Sequence, residues 1–311
     1  MLLRLGDRGL KVKELQDRLK ITSDGIFGRG TERAVKEFQS RSGLVVDGIV
    51  GPVTWNRLKE KSKRRYKKEN ITREGLRINN NFLPRNEYMT GSNPIYIFLH
   101  HTAGWYNPYK TIQDWGSDNR GKIATEFVIG GQSIKGDNFD YDGEVVKCLP
   151  DGAWGWHLGI GNNKVHKDSI GIELNNFGYL TKGGYNKGRR WVRKDDNKFY
   201  TYVGTEAHPS QVCVLDKPFR GHKYWHKYSS KQIHSLRKLL IHLARRNRIR
   251  VDKGITELFK IEGYSAFEYK DNLRRGRVKG GVWSHTNVRK DKFDIYPQPE
   301  LVRMLTSFDR N

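Results

Sequence analysis

Two stretches near the start of the chain repeat each other: "DGIFGRGT" from Asp24 and "DGIVGPVT" from Asp47. Positions 24 and 47 are 23 residues apart, too short a period for a large repeat and suited to a helix-loop unit. Between them, Ala34, Val35, Phe38 and Leu44 form an apolar stripe at helical spacing. Ahead of the first copy, Val12, Leu15 and Leu19 mark another amphipathic helix. Asp-Gly pairs favour turns, and Thr31 and Thr54 stand where a helix N-cap is wanted. The pattern predicts a small all-α, three-helix domain over residues 1–59.

A chain of 311 residues has room for two domains. After the helical unit comes "KEKSKRRYKKEN", residues 59–70, basic and without apolar periodicity. It reads as a solvated linker, taken as 60–74. From 75 to 311 the pattern is mixed. "IYIFLHH", "TEFVIGG", "EVVKCL" and "SIGIELNN" read as strands. "SSKQIHSLRKLLIHLARRNRI" reads as a long helix with Ile233, Leu236, Leu239, Leu240 and Leu243 on one face. Strands separated by helices predict an α/β domain, a mixed central sheet flanked by helices. Residues 177–227 have little periodicity and read as a long insertion.

The formal net charge is +24, which points to an anionic polymer or surface as partner. No helix-turn-helix or RNA-binding signature accompanies it, so no specific nucleic-acid partner is expected. Cys148 and Cys213 are not in a close pair, so neither a CxxC metal site nor a disulfide framework is indicated. No apolar run is long enough for a transmembrane segment. The opening "MLLRLGDRGLKVKELQ" breaks its apolar start with Arg4 and Asp7, unlike a secretory signal peptide. The expectation is synthesis in a cytoplasm.

The chemistry begins where the strand Tyr96-Ile97-Phe98-Leu99 runs into His100-His101 and a Thr102-Ala103-Gly104 turn. Side chains alternate along a strand, so the two histidines point to opposite faces. The same alternation sets Glu173 opposite Ile170, Ile172 and Leu174. A catalytic zinc takes three protein ligands from histidine, carboxylate or thiolate. His100, with His285 and Asp294 from one distant loop, supplies such a set, although the spacing alone is weak. His157, in "GAWGWHLG", sits among small and aromatic residues.

Two resemblances sharpen this. Leu5-Gly6-Asp7-Arg8-Gly9, Leu15-Gln16, Asp24-Gly25, Phe27-Gly28, Thr31, Phe38-Gln39, Asp47-Gly48, Gly51 and Thr54-Trp55 together resemble the peptidoglycan-binding type 1 domain, over residues 1–59. "IFLHHTAG", "TEFVIGG", "WGWHLG", "SIGIELNN" and "SHTNVRKDKFD" occur in the order seen in the type 2 family of zinc-dependent N-acetylmuramoyl-L-alanine amidases, which also resembles the peptidoglycan recognition proteins. That second resemblance covers residues 90–305 and leaves 177–227 unmatched.

The resemblance implies Zn2+ held by His100, His285 and Asp294, with His101 left to a structural or substrate-facing role. Glu173 matches the catalytic glutamate of one branch of the family and Lys292 its oxyanion-stabilising lysine. His157 matches a substrate-contacting histidine, with Trp154 and Trp156 as walls for sugar rings and Thr102 as a further substrate-binding residue. Another branch carries a tyrosine where this chain has Thr125. A threonine cannot reach as a phenol does, so either Glu173 transfers protons alone or Glu126 shares the work, with both positions facing substrate. The whole implies a monomeric, modular bacteriophage endolysin that cuts bacterial peptidoglycan between N-acetylmuramic acid and L-alanine. A bacterial autolysin of the same activity and a non-catalytic recognition protein are the alternatives.

Overall fold

The computed structural model describes residues 2–19, 21–65 and 70–308. The chain divides into two compact units, Met1–Lys68 and Glu69–Asn311.

The first unit has three helices, α1 (Leu10–Leu19), α2 (Arg29–Arg41) and α3 (Pro52–Arg65). Val12, Leu15, Phe27, Val35, Val50, Trp55 and Leu58 form its core. The repeat is structural as well as sequential. Gln16 Nε2 donates to Asp24 Oδ1 (2.7 Å), to the Ile26 carbonyl (3.0 Å) and to Thr31 Oγ1 (3.0 Å), while its Oε1 accepts from the Gly25 amide (2.8 Å). Gln39 repeats the pattern with Asp47 (2.8 Å), Ile49 (2.9 Å), Thr54 (3.3 Å) and Gly48 (2.9 Å). Each buried glutamine amide thereby meets its hydrogen-bonding need and pins one Asp-Gly turn. The threonines are not N-caps. Gly28 precedes α2 without a side-chain cap, and Thr31 and Thr54 lie inside their helices as partners of the glutamines.

Of the expected linker, α3 continues to Arg65, residues 66–69 lie outside the described residues, and a strand begins at Asn70. The second unit opens with β1 (Asn70–Ile71), β2 (Arg77–Asn80), β3 (Met89–Thr90), β4 (Tyr96–His101), α4 (Pro108–Trp115), β5 (Phe127–Ile129), β6 (Val145–Lys147), β7 (Ala153–Trp154), α5 (Asn163–Lys167) and β8 (Ser169–Leu174). It closes with α6 (Ser230–Asn247), α7 (Ile255–Glu262), α8 (Asp271–Arg274), the last strand at Gly281–Ser284 and α9 (Pro299–Thr306). The central sheet has seven strands in the order β1, β2, β6, β5, β8, β4 and Gly281–Ser284. It is mixed: β8, β4 and Gly281–Ser284 run parallel, while β6 runs antiparallel to β5.

Alternation along the strands gives the sheet two apolar faces. Ile97 and Leu99 of β4, Ile170, Ile172 and Leu174 of β8, and Val282 pack with Leu236, Leu239, Leu240 and Leu243 of α6. On the other face, Tyr96, Phe98 and Trp283 pack with Val165 of α5 and Leu273 of α8. Val128 and Val146 meet Ile112 of α4 there. Ser229 caps α6 in a reciprocal capping box with Gln232. Among the described residues no helix is long and apolar enough to cross a membrane.

The insertion at 177–227 is folded. It holds β9 (Tyr179–Lys182), β10 (Gly184–Lys187), β11 (Arg190–Arg193), β12 (Phe199–Tyr200), β13 (Glu206–Ala207), β14 (Val212–Phe219) and β15 (His222–His226), which leaves Gly281–Ser284 as β16. Strands β13, β12, β9, β15 and β14 form a second sheet in that order, and β10 pairs with β11 as a hairpin.

Candidate metal centre and active site

Three segments bring the site together. β4 delivers His100 at its C-terminal end, β16 feeds directly into His285, and the following loop carries Lys292 and Asp294. Strand β16 lies parallel beside β4, with Ser284 opposite Leu99, so His285 emerges next to His100. Its turn is pinned by its neighbours. Ser284 N donates to Asn287 Oδ1 (2.9 Å), Thr286 Oγ1 donates to the Phe267 carbonyl (2.6 Å), and Asn287 Nδ2 donates to the carbonyls of Ala266 and Glu268 (both 2.8 Å). The Thr286 amide donates to the Asp294 carbonyl (3.0 Å), closing the loop on itself.

His100 Nδ1, His285 Nδ1 and Asp294 Oδ2 form a tight triangle. The nitrogens are 3.1 Å apart, and Oδ2 lies 2.9 Å from His285 and 3.3 Å from His100. Bonds of about 2.0–2.1 Å to a tetrahedral ion would set ligand atoms about 3.3 Å apart, close to these edges.

The hydrogen-bond network is compatible with the following assignment of protons to ring nitrogens. Ser169 Oγ donates to the His166 carbonyl (2.8 Å), so it can only accept from His157 Nε2 (2.9 Å). His157 Nδ1 is then bare and accepts from His100 Nε2 (3.0 Å). That leaves the lone pair of His100 Nδ1 facing the triangle. His285 Nε2 donates to the Leu158 carbonyl (3.0 Å), which leaves Nδ1 as the nitrogen that faces the triangle. In the protonation states that bind metal, two nitrogen lone pairs and a carboxylate oxygen would face one another, an arrangement a cation relieves.

The electrostatics of these groups favour a neutral His100 and an ionised Asp294. Burial pushes His100 down to about 4, against the opposing pull of Asp294. Burial also pushes His157 well below the ordinary histidine value, helped by His100 and His166. Burial would raise the Asp294 carboxyl, but His285 and His100 beside it hold it well below the usual carboxylate range. Neutral imidazole and ionised carboxylate are the forms that bind metal.

Glu173 stands opposite His100 in the parallel β4–β8 register and therefore shares its face of the sheet. Burial, and then the Asp294 charge, push its carboxyl well above the ordinary glutamate value, against the pull of Lys292. A carboxyl held in that way suits proton transfer. Gly171, two residues earlier on the same face, makes room for the site. A Cβ there would stand 2.7 Å from Thr125 Cγ2 and 3.0 Å from His157 Nδ1.

Other expected site residues contribute no atom to the triangle. His101 points to the opposite face, and its Nδ1 is 2.8 Å from the Tyr228 hydroxyl. His157 uses both ring nitrogens on His100 and Ser169, which leaves none for substrate. Glu126 is buried with Lys147 and Arg246, each 3.3 Å away, so its charge is already matched away from the triangle. Thr125 spends its hydroxyl on the Phe127 carbonyl (3.1 Å). Thr102 Oγ1 accepts from the Asn176 amide (3.1 Å) and donates to the Asn176 carbonyl (3.3 Å). Trp154 and Trp156 meet edge to face at 5.1 Å, with Trp156 against His166 at 4.8 Å. Both are half-buried. Ser169 and the Leu158 carbonyl, which set the tautomers, carry no sequence signal.

The family profile of N-acetylmuramoyl-L-alanine amidases matches residues 90–291, and that of a peptidoglycan binding domain matches residues 8–58. Among solved structures, the endolysin of the Burkholderia phage AP3 is 45% identical over 20% of this chain and 26% of its own, at a TM-score of 0.19. This chain thus spans about a quarter of that endolysin's length. The N-acetylmuramoyl-L-alanine amidase LysC of Clostridium intestinale is 14% identical, with 73% of this chain and 93% of that one covered, at a TM-score of 0.38. A mutant endolysin from Bacillus subtilis is 16% identical, with 57% and 80% covered, at 0.33. No curated protein matches. Scores this low carry no weight, whereas the amidase profile covers well over half the chain and spans His100, His157, Glu173 and His285. The chain belongs to the N-acetylmuramoyl-L-alanine amidase family.

Proposed function

We propose that the chain is a zinc-dependent peptidoglycan hydrolase that cuts the amide between the lactyl group of N-acetylmuramic acid and the L-alanine of the stem peptide, and that it serves as a bacteriophage lysis enzyme. The observation that carries this reading is the convergence of His100, His285 and Asp294, the first far in sequence from the other two, in a chain of this family. The donor set fits zinc, with two imidazole nitrogens and one carboxylate oxygen. Three protein ligands are what a catalytic zinc uses, whereas a structural one takes four.

A zinc ion held there would polarise the scissile carbonyl and lower the pKa of water. The chain's own groups carry the rest. His157 and Leu158 orient the two ligand histidines. Glu173 takes the proton of the attacking water and passes it to the leaving amine. Lys292 answers the negative charge that grows on the carbonyl oxygen. Trp154 and Trp156 would offer ring surface to sugars. Mass spectrometry of products from purified peptidoglycan tests the reading. Free stem peptides beginning with L-alanine are expected, and glycans shortened with their stems intact would refute it.

His157 separates two roles. If it orients His100, His157→Ala lowers zinc affinity by about 10–100-fold, the usual cost of losing a residue that holds a ligand in place. If it binds substrate instead, KM rises and metal affinity holds. Chelator competition alongside steady-state kinetics distinguishes the two, and the affinity loss is expected.

The +24 charge draws the enzyme to anionic walls, through an attraction screened over about 8 Å at physiological ionic strength. The helical unit would add short-range contacts that survive salt. A truncation must fall before Glu69, because β1 at Asn70–Ile71 pairs with β2 of the amidase unit. The chain from Glu69 onward should cleave soluble muropeptides normally and intact sacculi more slowly, since tethering no longer raises local substrate concentration. Its wall binding should fall more steeply with salt than that of the full chain. Undiminished attack on sacculi at every salt concentration would remove the targeting role.

A further inference from the structure

We infer that the 177–227 insertion braces the loop carrying Lys292 and Asp294, and that Arg220 is its positioning residue. The inference rests on the metal reading above.

Arg220 and Gly221 connect β14 to β15, with Phe219 paired to His222 across the turn. Both turn residues have positive φ, 49° and 80°. Such two-residue hairpin turns favour Asn-Gly or Gly-Gly, and a long side chain at positive φ is disfavoured. Arginine here therefore calls for a compensating task, and its contacts supply one. The side chain is only 10% exposed. Nη1 donates to the carbonyls of Lys290 (2.9 Å), Arg289 (3.3 Å) and Lys292. Nη2 donates to the Glu268 carboxylate (2.8 Å) and to the Thr286 carbonyl (3.3 Å).

Thr286 follows one ligand, His285, and Lys292 lies two residues before the other, Asp294. One planar cation thus grips both flanks of the loop between them. Residues 288–293 of that loop run outside any strand or helix, so their carbonyls need donors from elsewhere. Lysine could not reproduce the grip, because its ammonium is a single point rather than a rigid fork.

A second set of contacts reaches the same loop independently. Tyr179 of β9 and His222 of β15 stack at 3.8 Å and 16°. Phe293, between Lys292 and Asp294, packs on both rings at 5.3 Å. The insertion therefore holds the backbone of 286–292 through Arg220 and the side chain of Phe293 through two rings.

Arg220→Asn tests this, because asparagine followed by Gly221 makes a favoured turn and the hairpin itself should keep or gain stability. Three readouts on the full chain separate a brace from a turn residue: amide hydrogen exchange at 286–293 in zinc-free protein, zinc affinity by chelator competition, and kcat with KM. Faster exchange confined to 286–293, zinc binding weaker by about 10–100-fold, and kcat lowered more than KM are expected. Arg220→Lys should show the same defects with little rescue. Unchanged exchange and affinity in Arg220→Asn overturn the brace. If Arg220→Asn does not fold, Arg220→Lys decides on the same readouts, and wild-type values there overturn it. A wild-type chain that binds no zinc would sink the metal reading instead, while the exchange at 286–293 still reports on the brace.

Discussion

Alanine at His100, at His285 or at Asp294 should each abolish amide cleavage and strip the zinc, while His101→Ala should keep both. Losing a group that merely orients a ligand costs about 10–100-fold in affinity, so losing a ligand itself should exceed that range. The three atoms lie within 2.9–3.3 Å of one another, and two neighbouring groups are already engaged elsewhere. His157 Nδ1 is committed to His100, and Glu126 to Lys147 and Arg246. His101 differs because alternation sends it to the far side of the sheet, against Tyr228. His101→Ala strands a buried tyrosine hydroxyl, which costs about 1–3 kcal/mol of stability and leaves the ligand set whole. Zinc content by elemental analysis, melting temperature and product release separate the four variants. Retained zinc in His100→Ala together with its loss in His101→Ala would reverse the assignment within the pair.

That contrast is legible in the sequence alone. A buried strand ending in two histidines can send only one of them to a given face, and the family resemblance selects His100. The long helix is legible for a similar reason, since Ile233, Leu236, Leu239, Leu240 and Leu243 repeat at helical spacing and are all buried. The insertion is not. Strand β14 buries only Leu215 and Phe219 fully, and β11 buries none of its residues, so little alternation reaches the sequence. Glu126 illustrates a different limit. Its position directly before β5 suggests chemistry, but its partners Lys147 and Arg246 come from distant segments that only folding unites. The tautomer-setting partners are hidden for a simpler reason: one is a backbone carbonyl, Leu158, which every residue possesses. Thr31 and Thr54 look like caps because a threonine before a helical run commonly is one. The buried amides of Gln16 and Gln39 claim them instead.

Glu173→Gln should retain zinc and lower kcat by about 100-fold or more, the lower end of what a positioned acid–base group contributes. Glutamine keeps the shape of the side chain and loses only its ability to take and return a proton. Glu173 supplies no atom to the ligand triangle, so metal content and KM should change little, which marks a loss felt in the transition state. The pH profile adds a second signature. Burial and Asp294 raise the Glu173 carboxyl above the ordinary glutamate value, with Lys292 opposing. A base with a raised pKa stays protonated to higher pH, so wild-type kcat/KM should fall as pH drops through that raised value, above the roughly 4.3 of a free glutamate. A bound dication would oppose the shift and move the limb toward acid without removing it. Glu173→Gln has no such group to titrate, so its residual activity should lack that limb. Lys292→Ala bears on the same point from the other side. Without the lysine, a cation that favours ionised Glu173 is gone, so the acid limb should move to higher pH while kcat also drops. Near-normal turnover in Glu173→Gln would take the proton transfers away from this carboxyl. Glu126 could not easily inherit them, because its charge is buried against Lys147 and Arg246. An acid limb that persists unchanged in both variants would mean that the titrating group lies among the metal ligands rather than on β8.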